Sequence, residues 1–481
     1  MKVLLISLAM LLALNASAQH QHKIDSASTK AMPLHHQMQG MSHPMKDTTI
    51  HTDSMDMGDM KMDDMPGMTS QFSRTIPMNR DGSGSSWVPD ETPMNAYMIH
   101  GKKWMTMIHG NIFLRYNNQD LFKSGQRGAY HFDAPNYLMG MTQRKVGEHG
   151  LFSINTMFSL DAFLVGNGGY PLLYQTGESY KGNKLVDKQH PHDLFSELSV
   201  AYTQQLSKKT DVYASFGYPG EPALGPPVFM HRLSAANNPD APLSHHYADA
   251  THITFGVATL GFRVSDFKIE GSTFKGREPD EFRYGFDAMK FDSYSIRLSY
   301  NPSKEWALQV SNGWIHSPEE IEPEQNVKRF TASAIHTKML NADSYIATSL
   351  IYGQNHYSDN DKTLPSALLE SNLQLHKNAF YGKYEFMQKD ADELDLENHT
   401  TGYNPNYNIN AFTLGYNRQL GNWIKNTDFR LGLQGTVNIS PTALQSLYGT
   451  APIGLEVYLR ISPSLMKMGM KHDHNMMDMN M

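Results

Sequence analysis

The sequence predicts an all-β protein, a transmembrane antiparallel β-barrel of about 16 strands (14–18) with disordered Met/His-rich N- and C-terminal tails. Three observations predict it. Apolar and polar residues alternate with period two through most of the chain, short turns alternate with long loops between those runs, and the two ends differ in composition from everything between them.

The chain opens Met1-Lys2, continues with an apolar run to Leu14 and reaches Ala16-Ser17-Ala18. A lone cation, a short apolar run and a small-x-small site read as a signal peptide over 1–18, cleaved before Gln19. The run falls short of the ~20 residues a membrane helix needs. There is no Cys among the 481 residues, which removes disulfides, thiolate sites and Cys nucleophiles together. Soft-metal chemistry is then left to Met sulfur and His nitrogen. A net charge of −7 without a Lys/Arg cluster gives no footprint for nucleic acid.

Residues 19–100 read as a disordered metal-binding segment and linker. Between 19 and 69 stand ten Met and six His, with hardly a branched aliphatic or aromatic residue among them. Such a segment buries too little apolar surface to offset its ordering entropy. The candidate ligands are His35, His36, Met38, Met41, His43, Met45, Met55, Met57, Met60, Met62, Met65 and Met68. The C-terminal tail, 463–481, repeats the composition with His472, His474, Met476 and Met477. Copper(I) and silver(I) accept thioether sulfur, and copper(II) accepts imidazole and carboxylate. The plainer reading is a spacer whose Met residues absorb oxidants. Ordinary linkers are built from Gly, Ser, Pro, Glu and Lys, which favours metal binding.

Residues 101–462 read as the barrel. In Tyr294–Tyr300, Tyr, Ile, Leu and Tyr alternate with Ser, Arg and Ser, and Thr427–Ile439 sets Phe429, Leu431, Leu433 and Val437 against Asp428, Arg430, Gln434 and Thr436. One face is apolar and the other polar. Such runs start near residues 105, 136, 150, 195, 211, 252, 266, 292, 306, 328, 343, 366, 379, 407, 427 and 452. Gaps after even-numbered runs are short, as at Ser207–Thr210 and Lys377–Asn378, whereas those after odd-numbered runs from the third are long, as at 164–194 and 219–251. A soluble β-fold has no reason to sort its connections in this way, whereas an outer-membrane barrel has periplasmic turns and external loops. An even strand count places both termini on the turn side, in the periplasm.

The long loops hold a second group of candidates. His190, His192 and Asp193 stand in Gln189-His190-Pro191-His192-Asp193, and His231 ends Phe229-Met230-His231. His245, His246 and His252 lie in the run from Ser244 to His252. Imidazoles with adjacent carboxylates suit a closed metal site. The competing reading is bracing, with Arg232 and Arg277 pairing Glu221, Glu278 and Asp280 across the loops. Pro191 argues against a helical zinc pair, and no metalloprotease, nucleophile-elbow or phosphate-loop motif occurs. On the strands, His109, Asn111, Arg115, Arg297, Lys383, Glu385, Arg430 and Arg460 fall on polar faces, where they fill the lumen or, on the alternative reading, line a selective ion path.

The Met/His-rich leader followed by a barrel resembles the copper resistance protein B class of outer-membrane proteins, in composition over the leader and in architecture over the barrel. That resemblance implies copper handling. A separate block runs from His190-Pro191-His192-Asp193 through Gly220-Glu221-Pro222-Ala223-Leu224-Gly225-Pro226-Pro227 and Phe229-Met230-His231-Arg232 to Gly276-Arg277-Glu278-Pro279-Asp280-Glu281. It resembles a group of uncharacterised bacterial outer-membrane proteins and brings no settled activity. The expectation is a non-enzymatic protein that binds copper or silver for resistance, sequestration or export. Its partners are outer-membrane lipid, metal ions and periplasmic copper carriers, with no nucleic acid. Two alternatives stay open: a porin-like channel for a small solute, and a membrane-embedded hydrolase using the loop His and Asp residues.

Overall fold

The computed structural model describes residues 68–396 and 403–466. The tail candidates from His35 to Met65 and from His472 to Met477, and the expected signal peptide, lie outside the described residues.

Sixteen antiparallel strands close into one barrel. They begin with β1 (Met105–Asn118), β2 (Tyr130–Asp133 and, past a break at Pro135, Asn136–Val146), β3 (Gly150–Phe158), β4 (Phe195–Ser207) and β5 (Thr210–Gly217). There follow β6 (Val257–Val264), β7 (Phe267–Phe274), β8 (Ser293–Ser303), β9 (Trp306–His316), β10 (Asn326–Asn341) and β11 (Ser344–Tyr357). The last are β12 (Thr363–Leu375), β13 (Asn378–Asp390), β14 (Asn406–Gly421), β15 (Thr427–Ile439) and β16 (Ile453–Pro463). Closure is made at β1, which pairs with β2 on one side and, from Ile112 to Asn118, with β16 on the other. The short turns fall after even-numbered strands and the longer loops after odd ones, except after β11, where the strands run on further than expected and 358–362 is no longer than the turn at 422–426. The run expected near residue 252 begins at Val257 instead, because a lumenal turn takes up Ala250–His252.

The burial pattern is that of a membrane barrel. On β8, Ile296 and Leu298 are 53% and 49% exposed on the outer face, while Arg297 between them is fully buried. A large apolar side chain outside and a guanidinium inside is the reverse of a soluble protein, and matches a lipid-facing surface around a polar lumen. Aromatic pairs sit outside near the turns, with Phe267 stacked on Tyr300 and Phe380 against Tyr416. Tyr294 with Trp314 stands toward the loops, and Tyr384 with Phe412 lies between the two levels. The two levels are the girdles such a barrel carries.

The lumen is filled, and here the structure corrects the expected linker. Residues 69–96 are folded inside the barrel. Phe72 packs on Tyr213, Arg297 donates to the Ser85 hydroxyl at 2.9 Å, and Asn301 donates to the Val88 carbonyl at 3.0 Å. Arg80 forks onto Asp90 and reaches Asp266 at 3.1 Å. The lumenal faces of the strands carry buried polar groups that require partners. The plug supplies them from its backbone and hydroxyls, and its few apolar side chains, Phe72, Ile76, Trp87 and Val88, anchor it. From the opposite end the loops after β3 and β5 fold inward and share an apolar cluster, with Leu172, Leu173, Tyr174 and Leu243 against Met387 and Ile409 of the wall.

Candidate metal centre

Five histidines meet inside the barrel. The loop after β3 supplies His190 and His192, and the loop after β5 supplies His245, His246 and His252; all five are buried. Pro191 holds the first pair in extended backbone, so two residues apart their rings face the same space, 6.3 Å between centroids. His245 and His246 open a one-turn helix, His245–Ala248. The wall grips that turn: Arg329 and Asn355 donate to the His246 carbonyl at 2.6 and 3.0 Å, and the Tyr247 hydroxyl donates to the Gln388 carbonyl at 2.8 Å. The other ring separations are 6.0 Å for His190–His245, 5.3 Å for His190–His246 and His192–His252, and 5.2 Å for His245–His246 and His245–His252.

Each ring uses its two nitrogens differently. Every Nδ1 has a partner on the protein. His190 faces Glu178 at 3.0 Å, His192 faces Asp161 at 2.7 Å, His245 faces Asp249 at 2.6 Å and His246 faces Glu278 at 3.5 Å. His252 meets the Asp249 carbonyl at 3.1 Å. Every Nε2 is buried without a partner. An acceptor at Nδ1 fixes the proton there and leaves a bare lone pair on Nε2, the arrangement of imidazoles that ligate metal. One ring nitrogen from each of His190, His245 and His246 lies within 4.8 Å of the others. An inward shift of each ring by less than about 1 Å would close that triangle onto a 2.0–2.1 Å ligand radius. His192 and His252 adjoin the triangle and offer further ligands.

The surroundings of His190, His245 and His252 disfavour the charged form. Burial pushes His190 and His252 well below the ordinary histidine value, reinforced by the other imidazoles, and lowers His245 against the pull of Asp249. Neutral imidazole is the ligating form. The carboxylates are held in turn. Burial alone would raise Asp249, but Arg232 and His245 outweigh it and set the group at about 2. Arg283 clamps Glu178 and also reaches Asp193 at 3.2 Å. Gly177, at φ +111°, presses its backbone against the His246 ring, and a Cβ there would overlap that ring. Nearby, a cavity of about 20 Å³ is lined by Glu178, Glu319, Glu322, Asp390, Asp392 and Glu393 together with Lys184, which pairs with Glu322 and Asp392.

Of the loop candidates, the structure brings together His190, His192, His245, His246 and His252. Two stand elsewhere. Asp193 points away from the rings to Arg283, and His231 lies against His109, with centroids 5.3 Å apart. Met68, among the tail candidates, is partly buried against a methionine cluster low in the barrel. The bracing pairs also differ from expectation. Arg232 takes Asp249 and Glu370, Arg277 takes Ser317, and Glu221 takes Ser83. Asp249 and Glu278 lie within segments already singled out, whereas nothing local in the sequence distinguishes Asp161 or Glu178. Tertiary folding alone brings them to the rings.

No family model matches the chain, and no curated protein does. Among solved structures the barrel is similar to OmpT, an outer membrane protein of Vibrio cholerae, at 9% identity and a TM-score of 0.43, covering 76% of this chain and 100% of that one. It is similar to Salmonella typhi OmpF in complex with daunomycin, at 10% identity and a TM-score of 0.45, covering 76% and 100%. It is also similar to an anion-selective porin from Comamonas acidovorans, at 11% identity and a TM-score of 0.41, covering 75% and 100%.

Proposed function

We propose that this barrel handles metal ions in a bacterial outer membrane, binding copper at the five-histidine centre inside the barrel and copper or silver on its Met/His-rich tails. The observation that carries the reading is the set of five adjoining buried imidazoles, each with a partner at Nδ1 and an unpartnered Nε2, of which His190, His245 and His246 bring one ring nitrogen each within 4.8 Å of the others. Imidazole ligands without sulfur suit copper(II) and zinc. The thiol-free tails add thioether sulfur for copper(I), so copper is the ion that both ligand sets accept. Transfer to periplasmic copper carriers would place the tails, on the turn side, between centre and carrier.

The filled lumen supports binding over a standing solute channel, since the plug and the inward loops occupy the path. The hydrolase alternative gains nothing from the geometry of the centre, because among the described residues no hydroxyl is hydrogen-bonded to any of the five Nε2 atoms. The test is titration of metal-depleted full-length protein in detergent with copper(II). His190→Ala with His246→Ala is expected to lose at least one ion per chain. Equal stoichiometry and affinity in parent and variant would remove the centre from the reading.

A further inference from the structure

A second ligand set lies lower in the barrel, on the first three strands and the plug. The register sets Met107 opposite Met141 and His109 opposite Met139 across β1 and β2, and Met139 opposite Met157 across β2 and β3. These are lumenal positions, and directly opposed side chains have Cβ atoms about 4.5–5.5 Å apart. Met78 and Met94 of the plug and Met230 of the loop after β5 close over them around a cavity of about 120 Å³. His109 and His231 line the same cavity. The His109 Nε2 is buried there without a partner.

We infer that this cavity is a site for a soft monovalent ion, copper(I) or silver(I), held by thioethers of Met107, Met139 and Met141 with the His109 imidazole. Thioether sulfur with imidazole is the donor set such ions select. The bland alternative is apolar packing, and three features weigh against it. The other apolar clusters inside the barrel, around Leu172, Tyr174 and Ile409 and around Leu224, Phe274 and Ile315, are built mainly from Leu, Ile, Val, Phe and Tyr, whereas this one is built from Met. The outer face of the same barrel fills its apolar positions with Leu, Ile, Val and Phe, so Met is a choice of sulfur and not of bulk. A packing patch also has no use for an imidazole nitrogen left bare among the methyls. Met68 and Met466, at the inner ends of the two Met-rich tails, both pack against this cluster, so ions gathered on the tails would reach it first. The site shares no residue with the five-histidine centre and stands or falls separately.

The test is silver(I) alone, added to the full-length protein in detergent, with crystals of the loaded protein examined for silver anomalous scattering. The expected result is a peak among Met107, Met139, Met141 and His109. Elemental analysis should find one silver fewer per chain in Met107→Leu/Met139→Leu/Met141→Leu, with the tails unchanged in both proteins and copper(II) retention at the histidine centre unaltered. No peak in the cavity, or an equal silver count in a variant that keeps the folded barrel's electrophoretic mobility, overturns the inference. If the variant does not fold, the silver peak in the parent decides alone. Loss of copper(II) binding at the histidines with the silver peak intact would defeat the proposed function and leave this site standing.

Discussion

Asp249 offers the sharpest test of the histidine centre, because its carboxylate performs two tasks that can be separated. One oxygen accepts from His245 Nδ1 at 2.6 Å, and the other receives Arg232. Asp249→Asn keeps the shape and removes the charge, so the imidazole loses a strong orienting acceptor and becomes a poorer ligand. Arg232 is not stranded, since Glu370 at 2.7 Å and the Pro227 carbonyl at 2.8 Å remain, and the barrel should fold. Losing such an orienting partner costs about 10–100-fold in metal affinity, or about 1.4–2.8 kcal/mol. The assay is copper(II) titration of full-length parent and variant, in which the tails cancel. Asp193→Asn is the control: it removes an acid from the same loops that touches Arg283 and no ring, and it should have a much smaller effect. An unchanged affinity for Asp249→Asn, or an equal fall for Asp193→Asn, would refute the carboxylate–imidazole–metal geometry.

Gly177→Ala adds a Cβ where the His246 ring lies and strains a φ of +111°; copper(II) affinity should fall while the folded barrel's gel mobility persists, and undiminished binding would show that His246 is not a ligand. Arg297→Met breaks a buried ion pair with Glu270 at 3.1 Å and the anchor to plug residue Ser85. Losing one partner of such a pair costs about 3–5 kcal/mol, so a urea midpoint within error of the parent would contradict the plug's role. Burial raises Glu221, opposed by Arg297, from 4.5 to about 8. Because the folded state holds this proton more tightly, its stabilising contribution is complete below the unfolded value and is lost as pH rises toward the folded one. The parent should therefore lose stability relative to Glu221→Gln across that interval, and a difference of opposite sign would reject the assignment.

The barrel was legible because its physics is local. Period-two alternation follows from strand geometry, and sorted loop lengths follow from the two compartments. The starts near 105, 136 and 150 fall at or within one residue of where β1, the second part of β2 and β3 begin. The plug was not legible. Asp81-Gly82-Ser83-Gly84-Ser85-Ser86 has the composition of a linker, and its order comes from partners distant in sequence, such as Arg297 and Lys268. Five centre histidines were visible as residue types, but their convergence depends on two loops turning inward, which no spacing encodes. His109 read as lumen filling because its methionine neighbours sit on other strands and on the plug.

Bracing and ligation, posed as rivals by the sequence, turn out to share one network. Arg283 and Arg232 do brace the loops, and they do so through Glu178 and Asp249, the acids that hold His190 and His245. A network serving only to brace would be expected to use both nitrogens of its rings, since each buried nitrogen left bare costs about 1–3 kcal/mol. Here the acids take Nδ1 in four of the five rings and a backbone carbonyl takes it in the fifth, while Nε2 is bare in all five. That asymmetry, repeated five times, runs against the interest of stability alone. An ion bound among the Nε2 atoms would satisfy them, so metal-loaded protein should resist urea better than metal-free protein by an amount that grows with the logarithm of free metal. A urea midpoint indifferent to copper(II) would mean that the loops tolerate their bare nitrogens for some other reason.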